Sequence, residues 1–251
     1  MADDDSLKRK YGLVILLDAL GASTYSDDRI KKFLKTRATL TKSLIRQANE
    51  IQSIEAEVAE SDFTTMNEPN TYTFGDTLMV VLELSNKERY MGHLILSIML
   101  MRNYLYHSLC EGILYRGAFS IGSYIEEPKS NTVMGEAVSD AASWYEQSDW
   151  MGLHSTPKTN NTLEFHFGDR KILIPELGFF YPVPMKDGPD LELYTISWAG
   201  RFFGDDNKLP DPKKKFLELL KDLPIPFGTE LKFENTKKYF DFVEESIAAA
   251  K

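Results

Sequence analysis

The sequence is poor in cysteine, histidine and positive charge. Its 251 residues include one cysteine, Cys110, and four scattered histidines. A single cysteine excludes an internal disulfide framework and thiolate-rich zinc sites, and it is typical of a reducing cytoplasm. Twenty-nine lysines and arginines against 38 aspartates and glutamates give a net charge of −9. This acidic balance argues against a nucleic-acid partner, which would need a basic surface.

Long hydrophobic runs and familiar catalytic motifs are also missing. The most apolar helix-like run, Leu94 to Met101, falls far short of the roughly 20 residues of a membrane span. The run Leu13 to Leu17 is too short for a signal-peptide core. There is no Gly-rich phosphate loop ending in Gly-Lys-Ser/Thr, no His-Glu-x-x-His and no Gly-x-Ser-x-Gly. We therefore expect a cytoplasmic protein that has no membrane partner.

Hydrophobic periodicity predicts the element order β-α-β-β-α-β followed by a helix. This is the order of a ferredoxin-like α+β sheet with helices on one face. The run Leu13 to Leu17 predicts a strand buried on both faces, and residues 90–110, apolar nearly all round, predict a buried helix. A hairpin is predicted with its turn at Gly75-Asp76.

The composition of the chain changes after about residue 160, where prolines become frequent. Prolines divide this part into short predicted strands, such as 171–174 and 191–198, and two amphipathic helices close the chain at about 211–222 and 235–249. We interpret residues 1–160 as the core and 161–251 as a C-terminal extension packed on the same body.

Two aspartates occupy unusual places. Asp18 ends the buried first strand, and Asp76 lies at the hairpin tip. A buried carboxylate costs free energy unless its charge is compensated. If the first strand and the hairpin are neighbours, both carboxylates emerge at one edge, where they suit magnesium or manganese shared with substrate phosphates. The simpler alternatives are that Asp18 caps the next helix and Asp76 is a turn residue.

Four segments in order carry a family resemblance: LVILLDALGAS, YTFGDTLMVV, YRGAFSIG and VMGEAVSDAASWYE. They resemble the successive motifs of class III nucleotide cyclase domains, over about residues 10 to 155. Within that superfamily the chain most resembles the pyrimidine (uridylate and cytidylate) cyclases of bacterial Pycsar antiphage defence. The resemblance implies a cyclase-type catalytic core on the ferredoxin-like sheet.

The resemblance also implies roles for particular residues. Asp18 and Asp76, with Ala19 beside the first, match a site for two divalent cations, Mg²⁺ or Mn²⁺. The turn Leu20-Gly21-Ala22, expected to open the long helix, would offer backbone N–H groups to substrate phosphate. The remaining substrate-binding positions are Tyr72, Thr132 and Ser139. Tyr72 and Thr132 replace the lysine and the acid that read a purine, and Ser139 replaces the transition-state asparagine.

Tyr72 and a further departure, Ser143, bear on substrate and activity. Tyr72 is bulky and carries a hydroxyl, which favours a smaller pyrimidine base; the alternative is an ordinary strand aromatic. The transition-state arginine falls on Ser143, which carries no charge. Arg116 is the best candidate for a replacement cation, although it could equally pair with an acid such as Glu146. Without a replacement, turnover should be slow or absent.

The implied reaction is intramolecular two-metal catalysis. The ribose 3′-hydroxyl of UTP attacks the α-phosphorus, giving 3′,5′-cyclic UMP and pyrophosphate. The resemblance further implies a head-to-tail homodimer and a separate effector that reads the product in antiviral defence. The alternatives are a cytidylate cyclase that makes cyclic CMP and a catalytically dead nucleotide-binding regulator. A palm-type nucleotidyl transferase is disfavoured by the acidic charge.

Overall fold

One mixed sheet of eight strands organises the chain, with helices on both of its faces. The computed structural model describes residues 7–58, 67–84, 90–127, 130–167, 177–204, 209–221, 223 and 225–250. The strands are β1 (Arg9–Ala19), β2 (Asn70–Phe74), β3 (Thr77–Glu83), β4 (Tyr115–Glu127), β5 (Thr132–Met134), β6 (Leu153–Ser155), β7 (Gly178–Val183) and β8 (Leu191–Ile196). The helices are α1 (Asp27–Val58), α2 (Tyr90–Cys110), α3 (Glu136–Trp144), α4 (Pro157–Phe167), α5 (Pro212–Lys221) and α6 (Glu230–Ala249).

The strand order across the sheet is β2-β3-β1-β4-β6-β8-β7, and β5 pairs with β4 outside this path. The central strand β1 is antiparallel to both β3 and β4, whereas β6 runs parallel to β4. The α+β class predicted from the sequence is confirmed. Among the described residues, no helix has the length and hydropathy needed to cross a membrane.

Helices cover both faces of β1, which explains its unbroken apolar run. Leu13, Ile15 and Leu17 belong to the main core with α1 and α2. Val14 and Leu16 point the other way and pack against Ala137 and Ala141 of α3. The prediction of helices on one face was therefore wrong. Small residues on α3 allow its close approach to the sheet.

The C-terminal part continues the same sheet. Strands β6, β8 and β7 extend it beyond β4, and α6 packs through aromatic rings, with Tyr239 edge-on to Trp150 at 4.5 Å between ring centroids. The predicted strand at 171–174 lies outside the described residues. The strands on either side of residue 160 belong to one sheet. The division of the chain at this residue stays a prediction.

Candidate functional site

The two aspartates lie at the same end of neighbouring strands. Asp18 pairs across β1 and β3 with Thr77, the residue that follows Asp76. Asp18 is only 8% exposed, and its burial raises the pKa of its carboxyl above the usual 3.8. The charge of Asp76 contributes to the same rise in pKa. The strand register thus brings Asp18 to within one residue position of Asp76.

Arg116 is the cross-strand partner of Asp18 on β4. Its Nε and Nη2 both lie 2.9 Å from Oδ2 of Asp18, and the two side chains are 11% and 12% exposed. Its contacts with Glu146 are longer, at 3.3 Å to the carbonyl oxygen and 3.7 Å to the carboxylate. The guanidinium lowers the pKa of Asp18 and so opposes the effect of burial. The sequence suggested a phosphate-binding cation or a pairing with Glu146, whereas the main partner of Arg116 is Asp18.

Gly117 allows β4 to approach β1 closely at this point. A Cβ at this position would overlap the backbone oxygen of Leu16, so any larger residue would push the strands apart. The cross-strand pairing of Arg116 with Asp18 therefore depends on a glycine at position 117.

The turn after β1 differs from the expectation. The N–H of Leu20 donates to the carbonyl of Leu114 at 2.9 Å, so it is not available to a phosphate. Gly21 has a left-handed φ of 76° and precedes a single 3-10 turn, and α1 begins only at Asp27. The prediction that this turn opens the long helix was wrong. The sequence did contain the true start signal, since serine followed by two aspartates is typical of a helix N-terminus.

Two N–H groups of the predicted phosphate turn have no bond of the kind that Leu20 makes. Within the described part of the chain, the N–H groups of Gly21 and Ala22 donate to no protein acceptor. Both lie just beyond Ala19, the last residue of β1. Phosphate binding by these two residues stays a prediction.

The hydroxyl of Tyr72 is bound inside the sheet. It donates to Oε1 of Glu126 at 3.0 Å, and Asn70 donates to the same oxygen at 2.9 Å. Lys10 donates to the other oxygen of Glu126, whose side chain is only 2% exposed. Burial and the Glu126 charge raise the pKa of Tyr72 to about 12. The Tyr72 hydroxyl is thus neutral, and its O–H is engaged in the hydrogen bond to Glu126. Only the lone pairs of the oxygen remain for a ligand.

Thr132 is not brought to Tyr72 by a hydrogen bond. Its hydroxyl instead bonds Ser130 at 2.9 Å in the loop before β5. Tyr72 bonds Glu126, a partner that the sequence interpretation missed, and a substrate-binding role for Thr132 stays a prediction. An acid at an alternating position of a buried strand was the available signal, because such a carboxylate requires partners.

The two serines of α3 supply no charge, but a lysine nearby does. Ser143 donates to the carbonyl of Ser139 within the helix. Burial, then the charges of Arg116 and Lys232, lower the pKa of Lys186. Its backbone bonds Gln147, the residue after the Glu146 carbonyl that accepts from Arg116. Lys186 forms no ion pair with the described residues.

The position of Lys186 is fixed by its backbone. Its N–H donates to the Gln147 carbonyl at 2.8 Å, and the Asp149 N–H donates to the Pro184 carbonyl at 2.7 Å. These bonds tie the β7–β8 loop to the segment that follows α3. The sequence interpretation missed Lys186 because its nearness to Arg116 depends on the placement of the extension.

The donor set fits a hard divalent cation. Among the described residues, no three acidic, histidine or cysteine side chains cluster as a complete metal site. The pair Asp18 and Asp76 offers carboxylate oxygens only, which suits magnesium or manganese that takes its other ligands from substrate and water. Both contacts of Arg116 fall on Oδ2, and no described residue bonds Oδ1 of Asp18.

Two solved structures are similar to this chain at low sequence identity. No family model and no curated protein matches the chain. An adenylate/guanylate cyclase/hydrolase from Silicibacter pomeroyi has a TM-score of 0.44 at 13% identity, over 76% of this chain and 98% of that one. The adenylyl cyclase CyaB from P. aeruginosa has a TM-score of 0.39 at 12% identity, over 76% and 95%. Scores below 0.5 do not establish a common fold, so the function must be argued from the residues themselves.

Proposed function

We propose that this chain is a nucleotide cyclase that converts UTP to 3′,5′-cyclic UMP and pyrophosphate. One observation carries the proposal. A buried aspartate and a second aspartate in a turn share one end of adjacent strands. Arg116 bonds the first of them, and two N–H groups without an acceptor among the described residues lie just beyond it in the chain. Paired carboxylates beside cations suit a substrate that carries a triphosphate and its divalent counterions.

The reaction forms a bond between O3′ and the α-phosphorus and breaks the bond from that phosphorus to the oxygen of the leaving pyrophosphate. Asp18 and Asp76 would hold the divalent cations. Such cations, when bound, supply a lowered pKa for the 3′-hydroxyl and neutralise phosphate charge. Arg116 and Lys186 are then available to phosphate oxygens, because Arg116 can exchange Asp18 for a phosphate as its partner.

Tyr72 supports the pyrimidine part of the proposal. Because the Tyr72 O–H donates its hydrogen bond to Glu126, the hydroxyl oxygen can only accept a hydrogen bond from a ligand. The N3–H of uracil is a donor, whereas N3 of cytosine is an acceptor, so an accepting oxygen facing this ring position favours uracil. Facing the amino group of cytosine instead, the same oxygen would favour CTP. A cytidylate cyclase is therefore the nearest alternative within the same chemistry.

A catalytically dead regulator is the second candidate, and the Arg116–Asp18 pair favours it. A guanidinium 2.9 Å from the metal-site carboxylate competes with any cation for that oxygen. If Arg116 keeps Asp18 when nucleotide arrives, the chain binds nucleotide without cyclising it. Neither Ser139 nor Ser143 restores the charge of a transition-state arginine.

A head-to-tail homodimer and a separate effector complete the proposal. Phe74 is 87% exposed and lies in the same strand as Tyr72, two residues away, so both point to one face of the sheet. An exposed aromatic beside the site suits contact with a second copy. The chain would make cyclic UMP as a signal in antiviral defence, for an effector carried on another protein.

The test is to incubate the purified protein with each of the four ribonucleoside triphosphates and Mn²⁺, and to measure cyclic product and pyrophosphate. We expect cyclic UMP, and none from an Asp76→Asn variant. Asp28→Asn is the matched control, because this aspartate of α1 has a 95% exposed side chain. It should retain full activity.

Other outcomes separate the alternatives. Product from CTP in place of UTP would identify the cytidylate cyclase. A melting-temperature rise with nucleotide and Mn²⁺ but no pyrophosphate would identify the regulator. Product from ATP alone, or an unimpaired Asp76→Asn variant, would overturn the proposal.

A further inference from the structure

The hairpin tip that carries Asp76 projects from the sheet with little packing of its own. Phe74 on one side of the tip is 87% exposed. Gly75 has a φ of +60°, and a Cβ built on it would meet no atom within 4 Å. Within the part of the chain that the structure describes, Phe74 and Gly75 therefore give the tip little side-chain packing, and the position of Asp76 depends on what holds its backbone.

A buried arginine of α1 reaches this tip. Nη1 of Arg37 donates to the carbonyl oxygen of Gly75 at 2.8 Å. Arg37 is only 7% exposed, and its guanidinium carbon lies 4.9 Å from the centroid of the Phe33 ring. No carboxylate pairs with it among the described residues. Burying a guanidinium without a counterion costs free energy, so core packing alone does not explain an arginine at this position.

The hydrogen bond acts on the backbone of Asp76 itself. The Gly75 carbonyl and the Asp76 N–H belong to one planar peptide group. A hydrogen bond from Arg37 to this carbonyl oxygen therefore fixes the orientation of the peptide plane that leads into Asp76. Since the Phe33 ring packs against the guanidinium, the donor is held in one orientation on the helix.

We infer that Arg37 is a positioning residue that holds Asp76 where it can share a divalent cation with Asp18. This inference rests on the proposed function for the role of the two aspartates. It adds a support for Asp76 on the α1 side of the sheet. Arg37 touches neither substrate nor cation and acts only through the Gly75 peptide.

The test uses Mn²⁺ alone and needs no turnover. Paramagnetic broadening of the backbone amide signals of Asp18 and Asp76 is followed during an Mn²⁺ titration of ¹⁵N-labelled protein. Arg37→Met, which keeps the length of the side chain but removes the donor, should raise the Mn²⁺ midpoint about tenfold. Arg37→Lys keeps one donor and should fall between Arg37→Met and the wild type.

Two control variants separate positioning from stability. Arg46→Met removes an exposed arginine of the same helix, which pairs with Glu50 at 3.6 Å, and it should leave the midpoint unchanged. Leu44→Ala removes a buried core side chain of α1. It should lower the melting temperature without moving the Mn²⁺ midpoint.

The outcomes are distinguishable. A wild-type midpoint in both Arg37 variants, with only the melting temperature lowered, would show that Arg37 is merely structural and would overturn the inference. If Arg37→Met does not fold, a wild-type midpoint in Arg37→Lys overturns it equally. If Mn²⁺ broadens neither aspartate in the wild type, the proposed metal site fails, and the role of Arg37 fails with it.

Discussion

Replacing Arg116 by methionine should destabilise the protein and, at the same time, make Mn²⁺ more stabilising. The guanidinium lies 2.9 Å from Oδ2 of Asp18, and both side chains are nearly buried. Methionine keeps much of the volume but leaves the Asp18 carboxylate without a counterion. A divalent cation would then meet a carboxylate with no competing partner.

The magnitude follows from burial. Removing one partner of a buried ion pair typically costs about 3–5 kcal/mol. The cost has a ceiling, because Asp18 can take up a proton instead; from its ordinary pKa of 3.8 to pH 7 this costs about 4 kcal/mol. A loss of about 3–4 kcal/mol, at about 2–4 °C per kcal/mol for a chain of this size, lowers the melting temperature by about 6–16 °C.

Thermal unfolding followed by circular dichroism, first with EDTA and then across an Mn²⁺ titration, measures both effects. The Mn²⁺-induced rise should be larger in Arg116→Met than in the wild type. The exposed Arg46→Met control should change the stability by less than about 1 kcal/mol. An Arg116→Met protein that melts like the wild type, or that gains no more from Mn²⁺, would refute the argument.

Three further predictions test other parts of the structure. Tyr72→Phe should lower the UTP-to-CTP ratio of kcat/KM about tenfold, since it removes the accepting oxygen; an unchanged ratio would exclude Tyr72 from base selection. Gly117→Ala should cost about 1–3 kcal/mol in urea unfolding because its Cβ overlaps the Leu16 carbonyl oxygen, whereas Gly92→Ala, in open space, should be neutral or stabilising. Burial lowers the pKa of His154 to about 4, below its unfolded value, so stability should fall by up to about 3 kcal/mol as pH drops from 6.5 to 4; His154→Gln should flatten this dependence.

The first half of the fold was predictable because its signals are local. The helix predicted at 90–110 matches α2 in full, since an all-apolar helix needs no knowledge of its neighbours. Later elements were missed where proline was interpreted only as a breaker. Pro182 lies inside β7, which the sheet order places at an edge where a missing N–H is tolerated. The helix α4 was also missed, although Pro157 is its first residue, a position that favours proline.

The candidate site was predictable only in part, for a related reason. Asp18 and Asp76 stand out locally, one after an apolar strand and the other in a turn. The partners of Arg116 and Tyr72 depend instead on strand register and on long-range contacts. The Arg116–Asp18 and Tyr72–Glu126 bonds join residues that are 98 and 54 positions apart in the sequence. No local pattern specifies such pairs, although a buried charge does indicate that some partner exists.

The Arg116–Asp18 pair also predicts that Mn²⁺ and nucleotide bind cooperatively. A cation that arrives alone must displace the guanidinium from Asp18 and leave it without a partner. When a triphosphate arrives as well, its oxygens can take up Arg116 and the nearby Lys186, so each ligand removes a cost of binding the other. The melting-temperature rise with both ligands should therefore exceed the sum of the separate rises. In Arg116→Met this excess should shrink, because the displacement step is gone. Additive rises in the wild type would mean that Arg116 keeps Asp18 in every state, which is the behaviour expected of the regulator and not of the enzyme.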